Sequence, residues 1–135
     1  MSIFKVKLRA TDRLWTQYMR LLYDYTCQWC GRPYSPDDTA RLQNLGVSHY
    51  YSRGHENTRF DVDNTLPFCN LPCHRYLDNE GRAEYTEFMI KRLGQEGFDM
   101  LNLKAHIRKD RDDVSDKIII KAMLEEFEGN IILRK

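Results

Sequence analysis

Cys27-Gln28-Trp29-Cys30 and Cys69-Asn70-Leu71-Pro72-Cys73-His74 decide how this chain is read, because two thiol pairs at ligand spacing enclose His49 and Asn64. Two residues between thiolates let one tight turn aim both sulfurs at a single ion, and Gly31 permits the positive φ such a knuckle needs. The second pair carries one residue more, yet the four sulfurs still make a closed tetrahedral shell. A closed shell serves structure, since it leaves no open position for a substrate. We therefore expect Cys27, Cys30, Cys69 and Cys73 to hold a structural Zn²⁺ that clamps the base of the excursion from residue 31 to residue 68. His74 is the alternative to Cys73 as fourth ligand. A thioredoxin-like redox site would need a strand before Cys27 and a helix after Cys30, whereas a helical pattern precedes and Arg32-Pro33 follows.

Upstream, Leu14, Trp15, Tyr18, Leu21, Leu22 and Tyr25 recur at helical spacing, with Thr11 or Asp12 as N-cap. Residues 3–8 alternate loosely and suit a short edge strand or an ordered arm. Downstream, Ser35-Pro36 opens a short helix that should end near Gly46. Val47 to Tyr51 reads as a strand with His49 at its centre, Ser52 to Asn57 as a polar loop, and Thr58-Arg59-Phe60 as the return strand. Asp61-Val62-Asp63-Asn64 is a turn rich in residues that bond their own backbone. Beyond Cys73, Leu77, Tyr85, Phe88, Met89 and Leu93 continue at helical spacing until Gly94. Phe98 to Ile107 and Val114 to Phe127 supply two more helices. Asp113 or Ser115 caps the second, and Ile118, Ile119, Ala122, Met123 and Phe127 form its apolar stripe, for the core or for another protomer.

The fold expected is α+β, one domain over residues 1–135, with a zinc-braced hairpin-plus-helix core at about 27–93 and flanking helices at about 11–26 and 97–128. A length of 135 residues with 41% hydrophobic content suits one domain that buries a core. Lys plus Arg number 21 against 20 for Asp plus Glu, so net charge leaves no footprint for a polyanion and any nucleic-acid contact must use a local patch. The basic bias lies in the N-terminal quarter, with Lys5, Lys7, Arg9, Arg13, Arg20 and Arg32. The N-terminus lacks an apolar leader core, and Ile118-Ile119-Ile120 is too short for a bilayer. These features imply a soluble cytoplasmic protein with no membrane partner, where paired cysteines favour metal over disulfides.

The order Cys-x2-Cys, His49, Asn64, Cys69-x3-Cys73-His74 resembles the HNH endonucleases. Within that family, His49-Tyr50-Tyr51-Ser52-Arg53-Gly54, the run Arg59 to Asn64, and Tyr85 are most similar to the phage NinG/Rap-type recombination endonucleases. The resemblance covers residues 27–93 and implies a treble-clef-like ββα-metal core. It implies a metal-dependent DNA endonuclease that hydrolyses phosphodiesters with one Mg²⁺ or Mn²⁺, acting on branched DNA in phage recombination within the host cytoplasm. Such hydrolysis needs a base to deprotonate water and a cation to offset charge on the phosphate. By the resemblance His49 is the general base, suited by a pKa near neutrality. His74 holds the ion from the helix facing the hairpin, and Asn64 either ligates it or orients the loop.

Arg53, Arg59 and Arg75 lie close to these residues in sequence and suit phosphate contacts that position DNA without reading bases. Tyr50 and Tyr51 point to opposite faces of a strand, one to the core and the other toward a DNA cleft. The chain departs from the family at Ser48, where many members carry a ligating Asp. A hydroxyl is a poorer ligand for a hard cation than a carboxylate, so Asp61, Asp63 or His55 would have to supply the missing donor, or waters would. Ser48 is also the best argument for the alternative function, a non-catalytic zinc-stabilised module that binds nucleic acid or protein.

Overall fold

Strand β1 (Leu45–His49) and strand β2 (Thr65–Cys69) pair antiparallel, from Leu45 opposite Cys69 to His49 opposite Thr65. The computed structural model describes residues 7–134, and side chains up to Gly129. Around the hairpin run α1 (Ala10–Leu22), α2 (Thr39–Leu42), α3 (Arg75–Asp78), α4 (Arg82–Ala105) and α5 (Asp113–Arg134). Strand residues alternate between faces, so Ser48, Leu66 and Phe68 share one face, while Val47, His49 and Thr65 share the other. The first face packs on α4, where Tyr85 and Met89 are fully buried and the Phe68 and Tyr85 rings stand 5.5 Å apart. Against the second lie Trp15 and Met19 of α1, closed over by Ile120 and Leu124 of α5. The Trp15 indole N–H donates to the Thr65 hydroxyl at 3.1 Å, which satisfies its one polar atom inside the core. The fold is thus a mixed one, helices around a two-stranded sheet. No helix among the described residues is long and apolar enough to cross a membrane.

Several elements depart from the sequence reading. The return strand is Thr65–Cys69, not Thr58 to Phe60. Glu56–Thr58 is instead a single tight turn, which carries Arg59 inward. The true strand was hidden because all five of its residues are buried, so no alternation shows, and because Pro67 reads as a strand breaker. Helix α2 stops at Leu42, and Gly46 belongs to β1. A Cβ at Gly46 would lie 2.1 Å from the Asn70 side-chain oxygen, so glycine is needed there for close approach. Helix α1 starts at Ala10, with Thr11 and Asp12 buried in its first turn. Gly94, at φ +77°, does break the helix as expected, but the helical path resumes beyond it and α4 runs to Ala105. Asp112 caps α5 by accepting the Ser115 N–H at 3.1 Å. The buried stripe of α5 is Asp116, Ile120 and Leu124, whereas Ile118 and Ile119 are 64% and 55% exposed. Most of the expected N-terminal strand or arm lies outside the described residues.

Several arginines, Arg9 and Arg20 of the basic N-terminal quarter among them, are engaged inside the fold. The Arg59 guanidinium, 1% exposed, grips both carboxylate oxygens of Asp12 at 2.9 and 2.6 Å. It also donates to the carbonyls of Arg53 at 2.9 Å and Lys7 at 3.2 Å. Burial pushes the Asp12 carboxyl upward, but the bonds from Arg59 and the Arg9 N–H outweigh it and hold the group below the usual carboxylate range. A second fork joins Arg9 to Glu56 at 2.7 and 2.9 Å. Arg20 donates to the carbonyls of Leu42 and Leu45, securing the entry to β1. From the other side, Arg92 holds the carbonyls of Val62 and Asp63 at 2.7 and 3.0 Å.

Removing one partner of a buried fork leaves the other charge desolvated and unpaired. Asp12→Ala should therefore cost about 3–5 kcal/mol in urea unfolding. A loss of less than about 1 kcal/mol, the scale of an exposed pair, would mean that Arg59 does not fasten this loop.

Candidate metal centre and active-site cleft

The four sulfurs of Cys27, Cys30, Cys69 and Cys73 all lie within 4.8 Å of one another. Cys30 Sγ and Cys69 Sγ are 3.6 Å apart, close to the edge of about 3.8 Å expected for a tetrahedron with Zn–S bonds near 2.3 Å. The knuckle forms as its spacing demands, with Gly31 at φ +78° and its N–H donating to Cys27 O at 2.9 Å. The extra residue of the second pair is absorbed by a wide turn, Asn70–His74, in which Leu71 is extended. Asn44 secures that turn, accepting the Leu71 N–H and donating to its carbonyl, both at 3.2 Å. Cys73 supplies the fourth sulfur, while His74 turns away to Asp78.

The surroundings of these thiols fit a cation. Burial raises the Cys27 thiol, but N–H groups, among them those of Cys30 and Cys69, outweigh it and bring the group down to about 7. Burial and the neighbouring sulfurs push Cys69 up, and Cys73 far up. Four thiols in this space cannot all ionise together unless a positive charge sits among them. They are placed to hold a metal such as zinc.

A cleft of about 220 Å³ opens beside this centre, lined by Val47, His49, Ser52, Arg53, His74 and Asp78. His49, the last residue of β1, has Nε2 2.8 Å from the Arg59 carbonyl. A carbonyl only accepts, so Nε2 carries the proton and Nδ1 keeps its lone pair. That Nδ1 is shielded from solvent and has no partner among the described residues. Burial, and then the charge of Arg53, push His49 down to about 4, below the near-neutral value expected of it, so its imidazole is neutral near pH 7 but a weaker base than that value implied. The Arg59 carbonyl that sets this tautomer is held by the buried fork to Asp12.

His74 enters at the head of α3, with Nε2 2.8 Å from Asp78 Oδ2 one helical turn on. At this distance the imidazole N–H donates to the carboxylate, and both residues line the cleft.

Other expected site residues fall elsewhere. Asn64 is fully buried: its Oδ1 accepts the Tyr51 N–H at 2.9 Å, and its Nδ2 donates to the carbonyls of Tyr51 at 2.9 Å and Thr58 at 3.0 Å. It is not an ion ligand but a latch for the loop that follows His49. Arg59, read as a phosphate contact, is sealed in the core by Asp12 and cannot reach DNA. Arg53 lines the cleft, and Arg75 is exposed on α3.

Ser48 points into the core on the face opposite His49, its hydroxyl 2.8 Å from that of Tyr85. None of the proposed substitutes for its missing acid lines the cleft: Asp61 pairs with Lys104 at 2.6 Å, Asp63 is exposed near it, and His55 packs beside Tyr51. Tyr50 is core, as one of the two tyrosines should be, while Tyr51 bonds Asn102 rather than bordering the cleft. Asp78 was missed, although its i,i+4 spacing from His74 was a signal.

Metal content and circular dichroism should show one zinc per chain, lost with the fold in Cys73→Ser and kept in His74→Ala; the reverse pattern would make His74 the fourth ligand. A histidine held neutral by a depressed pKa contributes stability above its ordinary value near 6.5, and loses it as pH falls toward about 4. The unfolding free energy of the wild type should therefore fall more steeply over that window than that of His49→Gln. Comparison with protein-family models, with curated proteins and with solved structures gave no match.

Proposed function

We propose that this protein is a metal-dependent DNA endonuclease of the HNH type, and that the cleft between β1 and α3 is its active site. The observation that carries the reading is a neutral His49 with a bare Nδ1 in the same cleft as the His74–Asp78 pair. A base without an ion site, or an ion site without a base, would not suit phosphodiester hydrolysis. β1, β2 and α3 follow one another in the order of a ββα core, and the cysteine centre braces that order. Asp78 supplies the carboxylate that position 48 lacks, and Asn64 takes the loop-orienting role that the resemblance allows.

In this reading His74 and Asp78 hold Mg²⁺ or Mn²⁺, which when bound supplies positive charge to the scissile phosphate and the departing oxygen. Once bound substrate opens the shielded His49 Nδ1 to the cleft, that atom takes a proton from a water whose oxygen bonds to phosphorus, and the P–O bond to the leaving sugar oxygen breaks. That oxygen is protonated from solvent, and His49 returns its proton to water. Arg53 in the cleft and Arg75 outside it position the backbone through phosphate contacts. The recombination role on branched DNA follows from the resemblance to the NinG/Rap-type enzymes.

Cleavage of supercoiled plasmid and of a synthetic four-way junction in Mg²⁺, Mn²⁺ and EDTA tests this. The wild type should cut only with metal, His49→Ala should lose about 100-fold or more, Asp78→Asn should need more metal, and Ser48→Ala should keep its activity. Preference for the junction would support the recombination role. If the folded, zinc-loaded wild type cuts neither substrate in any metal, the non-catalytic zinc module replaces this reading.

A further inference from the structure

Apart from the cysteine centre and the cleft, His55 and His106 bring two imidazoles together, one from the head of the turn Glu56–Thr58 and one from the end of α4. Their ring centres are 5.4 Å apart, and each stands 5.8 Å from the Tyr51 ring. His106 Nδ1 lies 2.7 Å from the Asn102 carbonyl, and His55 Nδ1 lies 3.3 Å from the Ser52 carbonyl and 3.4 Å from the Ser52 hydroxyl. Carbonyls only accept and a hydroxyl can accept as well, so hydrogen on Nδ1 meets every one of these contacts and leaves both Nε2 atoms a lone pair. Among the described residues neither Nε2 has a hydrogen-bond partner. A backbone carbonyl holding the N–H while the other nitrogen stays bare is the usual preparation of a metal-ligating histidine.

The spacing agrees with that chemistry. Two imidazoles sharing a tetrahedral ion at Zn–N distances of 2.0–2.1 Å have ring centres about 5 Å apart. The segments that carry them are already tied, because Asn57 Nδ2 donates to Lys104 O at 3.1 Å and Lys104 pairs with Asp61 at 2.6 Å. We propose that His55 and His106 form a second metal site, selective for borderline divalent ions such as Zn²⁺ or Ni²⁺ over Mg²⁺. Imidazole favours the former, and the pair offers no carboxylate for the latter. An ion here cross-links the loop that bears Arg53 and Arg59 to the end of α4, so its binding stiffens the support of His49. The site is independent of the nuclease reading.

Untagged His74→Gln protein, whose cleft lacks its imidazole ligand, is filled with zinc at its cysteine centre and titrated with Ni²⁺ and with Mg²⁺ by calorimetry, and thermal unfolding is followed alongside. In this background the protein should take up one Ni²⁺ and unfold at a higher temperature, with no such response to Mg²⁺. Adding His55→Gln or His106→Gln should each weaken Ni²⁺ binding by about tenfold or more and abolish the thermal shift. Absence of Ni²⁺ uptake by zinc-loaded His74→Gln, or uptake unaltered by adding His55→Gln or His106→Gln, would overturn the proposal.

Discussion

Four thiols packed within one coordination sphere repel one another as they ionise, and the chain is arranged around a point where a cation removes that conflict. Cys27 and Cys30 come from the knuckle after α1, Cys69 ends β2, and Cys73 lies in the turn that leads into α3. Closing the set therefore sets where α3 starts relative to the hairpin. His74 is the next residue after Cys73, and Asp78 follows one turn later. The cysteine centre does no chemistry in this account, yet it determines where the two candidate ion ligands stand.

His49 is positioned from the opposite direction. Asp12 on α1 holds the Arg59 side chain, the Arg59 carbonyl accepts from His49 Nε2, and Asn64 ties the intervening loop to Tyr51 and Thr58. Each link is hydrogen-bonded and wholly or partly buried, so each resists displacement more than an exposed contact would. The result is an imidazole fixed in one tautomer and depressed by burial. The cleft thus has two supports with different chemistry: a metal-ready thiol cluster on the α3 side and a buried arginine–carboxylate fork on the β1 side.

The cysteine set, His49 on a strand and His74 at a helix head were legible in the sequence, because ligand spacing and helical periodicity are local signals. The second strand was not. Thr65–Cys69 is covered on both faces and contains Pro67, so it shows neither alternation nor strand-like composition. Arg59 looked like a surface cation because its partner, Asp12, is far away in sequence and only the fold brings them together. Asn64 was visible as a site residue, but its role depends on three bonds to a loop whose path could not be foreseen. Asp78 was readable in principle, since i,i+4 on a helix needs no tertiary knowledge.

In the proposed nuclease His49 waits as a neutral imidazole with Nδ1 bare. Long-range ¹H–¹⁵N correlation of the histidine rings, followed from pH 7 to pH 4, observes this atom directly. The account predicts a His49 signal pattern of the Nε2-protonated neutral tautomer, with protonation only as pH approaches about 4. A His49 ring protonated at Nδ1 in its neutral form, or one that titrates near the ordinary value of about 6.5, would contradict it.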